Sequence, residues 1–127
     1  MNDKELLLRD LCGRLPYGVK CKTLTKDLND ENILYEDREE LTIYRIRRLG
    51  NEYMTVVPYL FPMDSMTAEQ KNEYNQLLEL ELKAINDEIP QSYVTAFEVD
   101  FYNKYHLDWR GLITKGLAID ATGLNIY

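Results

Sequence analysis

The first apolar residues of the chain recur at a helical period. Leu7, Leu8, Leu11, Cys12 and Leu15 fall on one side of a 3.6-residue wheel. Asn2 followed by Glu5 has the spacing of an N-cap and its N3 partner. Gly13 weakens the last turn, and Pro16 pushes Leu15 out of helical geometry, so the pattern predicts a first helix over residues 3–14. After Pro16-Tyr17-Gly18 the period drops to two. Val19, Cys21 and Thr23 point one way and Lys20 and Lys22 the other, as in a strand with one solvated face. Thr25 to Glu31 is polar and acidic and reads as a loop, followed by a short strand at Ile33-Leu34-Tyr35.

Residues 41–49 are rich in β-formers, Gly50-Asn51 suits a two-residue turn, and Glu52 to Val57 returns. This predicts a hairpin in which Leu49 faces Glu52, Arg47 faces Met54 and Arg45 faces Val56. Pro58 and Pro62 are expected to stop the ladder, because proline has no backbone donor. Thr67 and Gln70 form a second capping box ahead of a helix from about Ala68 to Glu88. Its stripe is Tyr74, Leu78, Leu82, Ile85 and Ile89, with Leu77 on one flank and Glu81 at the rim. Residues 93–99 suit a fifth strand or an extended connection. Asp100 suits the N-cap of a short helix through His106. Asp108 suits the cap of another, with Gly116 in the left-handed position that ends it and Leu117 as its apolar contact. Ala121 to Tyr127 reads as irregular.

These elements add up to one α+β domain over residues 1–127: an N-terminal helix, an antiparallel meander of three to five strands, one long amphipathic helix and short C-terminal helices. The first and the long helix are expected to cover one sheet face. At 127 residues the chain can bury about two-thirds of its unfolded surface without a disulfide or a metal. Cys12 and Cys21 read as reduced core residues. With His106 as the one histidine, neither a metal nor another cofactor is expected. No window approaches the roughly 20 apolar residues that span a bilayer. Met1-Asn2-Asp3-Lys4-Glu5 is charged, without a signal-type apolar run, so the expected location is cytoplasmic.

The net charge of −7 argues against non-specific binding to nucleic acid or to an acidic membrane, and it permits a basic partner. Acids concentrate in residues 25–40 and 61–90, while residues 1–24 and 41–60 are mildly basic.

Three segments carry a resemblance: Leu11-Cys12-Gly13-Arg14-Leu15-Pro16-Tyr17-Gly18-Val19, Pro58 to Thr67, and Asp108-Trp109-Arg110-Gly111-Leu112-Ile113-Thr114-Lys115-Gly116-Leu117-Ala118. Together, and in order along the chain, they resemble a family of small uncharacterised proteins of gut Bacteroides-type bacteria, their prophages and phages. The resemblance implies a mobile-element context and carries no catalytic residue. Relatives tend to have Asp-Trp and then a histidine pair, where this chain has Asp100-Phe101 and Tyr105-His106.

Three clusters could carry function. The first is Asp100, Tyr105, His106, Asp108 and Arg110, in which a carboxylate could make the histidine a general base. No nucleophile is tied to it by motif, and there is no P-loop, G-x-G-x-x-G, H-E-x-x-H or C-x-x-C. The second is Arg45, Arg47 and Arg48 with Tyr44 and Tyr53 on the expected hairpin, a combination that can stack bases and contact phosphates. The third is Tyr59, Phe61, Met63 and Met66 around two prolines, suited to a partner surface. The leading expectation is a non-enzymatic interaction module, an inhibitor or adaptor whose partner is another protein. A nucleic-acid-binding module on the hairpin and a small enzyme using His106 are the alternatives.

Overall fold

The structure, a computed structural model, describes residues 2–30, 32–49, 54–86, 88 and 90–127. Helix α1 spans Asp3–Arg14, where the Asn2 side chain accepts from the Glu5 N–H at 2.9 Å. Strand β1 spans Lys20–Lys26 and β2 spans Leu34–Glu40. Helix α2 is a short turn over Ile43–Arg47, and β3 is Met54–Leu60. The long helix α3 is Ala68–Ile85, α4 is Gln91–Lys104, and β4 is the pair Ile119–Asp120. Among the described residues no helix is long and apolar enough to cross a membrane.

The protein is α+β, with a four-stranded mixed sheet in the order β2-β1-β3-β4. The expected antiparallel meander is matched in part. β1 pairs antiparallel with β2 and β3, but β3 lies on the far side of β1 and takes β4 in parallel.

Val19, Cys21 and Thr23 alternate into the core as their period of two predicts. Together with Leu11, Leu41, Val56, Leu60 and Leu112 they are buried beneath α1 and α2. Full burial of one such aliphatic side chain is worth about 1.5–3 kcal/mol. Cys21 is in this core, where burial pushes its thiol up to about 12, but Cys12 is exposed.

The expected hairpin does not form over residues 41–49. Its turn, Gly50-Asn51, and Glu52 and Tyr53 lie outside the described residues. Residues 43–47 are helical, because Thr42 caps them by accepting from the Arg45 N–H at 3.3 Å. Ile46 and Leu49, three apart, then reach the core from one side of the turn.

Pro58 does not stop the ladder. It is buried within β3 opposite Cys21, at the residue where pairing passes from β1 to β4, so its missing donor costs little. β2 is longer than its three predicted residues, and β1 continues to Lys26 into the segment read as a loop. Residues 93–99 are helical rather than extended, and Asp100 lies inside α4 rather than capping a new helix.

The end of the chain follows its turn chemistry. Asp108 accepts from the N–H groups of Leu112 and Ile113 at 2.7 and 2.9 Å. Gly116, at φ +74°, donates to the Ile113 carbonyl, and Leu117 donates to that of Leu112. Those two bonds make the predicted Schellman closure, on a run of turns rather than a regular helix.

Candidate protein-docking surface

The histidine cluster is dispersed by the fold. His106 adopts a left-handed backbone (φ 56°), and its ring stacks on Tyr127 with centroids 3.7 Å apart. No carboxylate is hydrogen-bonded to it, and its Nδ1 has no partner among the described residues. Burial first, then the positive charges of Arg14 and Lys20, lower its pKa to about 4.

The neighbours of His106 have structural work. Both Asp108 oxygens hold backbone N–H groups. Arg110 lies 4.2 Å over the Trp109 ring and reaches Asp10 at 3.2 Å. Tyr105 sits edge-on to Phe101 beneath the Lys104 ammonium. The exposed Asp100 accepts from the Tyr17 hydroxyl, and this bond holds the phenol above its usual range.

A buried ion cluster that sequence reasoning missed lies under this segment. Arg14 and Asp10 are both 0% exposed and are joined at 2.7 Å. Arg14 also donates to the Leu107 carbonyl at 2.6 Å. The Asn103 side chain donates to the Gly13 carbonyl and accepts from the Trp109 indole, which ties α1 to the end of α4. The i, i+4 spacing of Asp10 and Arg14 was a visible signal, but their burial was not.

The arginine cluster does not line a sheet face either. Arg45 turns back on α2 to pair with Glu39 and reaches the Met54 sulfur at 3.9 Å. Arg48 stacks on Tyr44 at 4.3 Å, Arg47 is exposed at the end of the turn, and Tyr53 lies outside the described residues. The aromatic segment is also largely closed. Tyr59 is buried and accepts from Arg38, Phe61 packs on Tyr127 with centroids 5.8 Å apart, and Met63 and Met66 are half-buried.

The open apolar surface lies elsewhere, on α3. Thr67 and Gln70 cap this helix with the predicted reciprocal box. Its contact with α4 runs through Tyr74, which meets Phe101 and Tyr102 at 5.9 and 6.4 Å, and through Glu73, which pairs with Lys104 at 2.9 Å. Residues 70, 73, 74, 77, 80, 81 and 84 are the partly or fully buried ones.

The predicted stripe lies one step round the helix and faces outward, with Leu78 38%, Leu82 62% and Ile85 70% exposed. Ile89, its last member, lies outside the described residues. The expectation that this helix covers the sheet is therefore corrected: α3 packs on α4. On the other flank of the contact a groove of about 530 Å³ runs between the helices over Leu77, Leu80, Phe97 and Phe101. The Glu73–Lys104 and Tyr17–Asp100 pairs stand at its edge, and Lys104 holds the Glu73 carboxyl below its usual range. Among the described residues α3 thus carries two apolar stripes and packs chiefly on α4. No family model, curated protein or solved structure matches the chain.

Proposed function

We propose that the protein is a non-enzymatic binding module that docks an amphipathic helix of a partner protein on the α3–α4 hairpin. One observation carries this reading. The apolar residues of α3 spread over roughly 200° of its circumference at 100° per residue, and α4 covers one side of that arc. The part of that arc which α4 leaves open is apolar surface that a partner can bury. Burying Leu82 and Ile85 is worth about 1.5–3 kcal/mol each.

The rim selects the partner. Glu69, Glu73, Glu79, Glu81, Glu98 and Asp100 outnumber Lys71, Lys83 and Lys104 on the two helices, and the whole chain carries −7. A basic-rimmed amphipathic helix fits this surface, and a second copy of the same acidic face does not. An inhibitor or adaptor of phage or mobile-element origin agrees with the family resemblance.

The test is a double substitution, Leu82→Glu with Ile85→Glu, at exposed positions where folding is indifferent. A partner captured by the wild-type protein is titrated against both proteins by calorimetry. Two central apolar anchors lost together weaken binding at least about 30-fold at roughly 1 kcal/mol each. Equal affinity for the two proteins contradicts the proposal.

A further inference from the structure

A second, separate surface lies at the other extreme of the topology. Among the described residues β2 is an end strand: all seven of its residues pair with β1 on one side, and no strand pairs with it on the other. Six of the seven are exposed, so neither sheet face covers it. A terminal strand of this length presents a row of backbone donors and acceptors, which is the template that an added strand uses.

Its side chains decide which strand. β2 reads Leu-Tyr-Glu-Asp-Arg-Glu-Glu. Arg38 is turned inward across β1 onto the Tyr59 ring, 5.3 Å from its centroid, and Glu39 is paired with Arg45. Among the described residues neither Asp37 nor Glu40 makes an ion pair, and Glu36 makes a single one, to Lys22 at 3.3 Å. Acids therefore stand on both faces of the open edge.

The strand already paired to β2 shows what it accepts. β1 is Lys-Cys-Lys-Thr-Leu-Thr-Lys, with Lys20 opposite Glu40 and Lys22 diagonal to Glu36. A second copy of β2 would set Asp37 against Asp37 in the antiparallel register centred on it, and Glu36 against Glu40 and Asp37 against Glu39 in the register centred on Arg38, and like charges directly opposite are destabilising.

We propose that the outer edge of β2 is a β-augmentation site for an extended basic segment of a partner protein, with lysine or arginine opposite Glu36, Asp37 and Glu40. Leu34 and Tyr35, both more than half exposed at the start of the strand, supply the apolar contact. The acids that keep copies of this chain from pairing edge to edge are the ones that admit such a segment.

The test uses the intact protein and three nonapeptides: Val-Lys-Val-Val-Lys-Lys-Val-Val-Val, which in antiparallel register sets lysines opposite Glu40, Asp37 and Glu36, the same sequence N-methylated at every second backbone nitrogen, and the same sequence with glutamate for lysine. Amide hydrogen exchange is followed by NMR. With the lysine peptide at ten times its dissociation constant, alternate amides of residues 34–40 slow about tenfold. The N-methylated and glutamate peptides give no protection. Asp37→Lys with Glu40→Lys lowers the lysine peptide's affinity about tenfold, and the wild-type affinity falls as salt is raised. Binding without alternate protection in β2, or equal binding of the N-methylated peptide, overturns the proposal. Concentration-dependent protection of β2 without peptide overturns it in favour of self-pairing.

Discussion

Two regions of this molecule invert the usual distribution of polar and apolar groups. On the inner side of α1 an aspartate and an arginine are fully buried and clasped by Arg110 and the Leu107 carbonyl. On α3 two leucines and an isoleucine face water. The first region spends solvation of charge on fixing one arrangement of α1 against residues 103–113. The second leaves hydrophobic free energy unspent, and that is what a docking surface needs. Burial of a charge marks what the fold must hold, and exposure of a leucine row marks what the fold does not use itself.

The largest expected effect belongs to the buried pair. Asp10→Ala leaves the Arg14 guanidinium in the core without its carboxylate and costs about 3–5 kcal/mol in urea unfolding. Adding Arg14→Met removes the stranded charge and recovers much of that loss. A cost below about 1 kcal/mol for Asp10→Ala would place this pair with surface bridges and erase the contrast.

Next comes pH. His106 titrates near 4 in the fold and at 6.5 in the unfolded chain, so the unfolded state binds the proton first. The stability it contributes is complete above pH 6.5 and is lost as pH falls toward 4. His106→Asn, which tolerates the left-handed backbone, flattens the unfolding profile between pH 6.5 and 4 relative to wild type. Parallel profiles for the two proteins contradict this assignment.

Asp108→Ala is smaller, about 1–2 kcal/mol, because it strips two backbone N–H groups of their acceptor. Thermal unfolding reads it directly. Smallest of all is Leu82→Glu with Ile85→Glu, which changes stability by less than about 0.5 kcal/mol while weakening partner binding. A large loss of stability there would show that the outer stripe serves the fold after all.

The sequence was most legible where local chemistry decides the outcome. Asn2, Thr67 and Gly116 each did what their spacing predicts, because caps depend on a few adjacent residues, whereas Asp108 ties a run of turns instead of capping a helix. It misled where a neighbour far along the chain decides. Residues 41–49 have strand propensity, yet Thr42 and the pull of Ile46 and Leu49 into the core wound them into a helix. β2 shows no alternation because neither of its faces is buried, so only its pairing with β1 makes it a strand. The candidate surface was half legible. The stripe on α3 was read as its buried face, whereas Leu78, Leu82 and Ile85 are exposed, because which of the two stripes α4 covers is a tertiary choice. Of the three clusters named from sequence, the one around His106 has side chains engaged in packing and caps, Tyr59 is buried, and Tyr44, Arg47 and Arg48 are exposed on a helical turn rather than on a hairpin face.

A photo-crosslinking scan around α3 in cells tests the central claim most directly. A photoreactive residue is placed in turn at positions 78, 82 and 85 and, on the opposite polar side, at 72, 79 and 83. The account predicts one discrete heterologous adduct from the first three positions and none from the second three. Equal labelling from both sides, or adducts made only of this chain with itself, contradicts it.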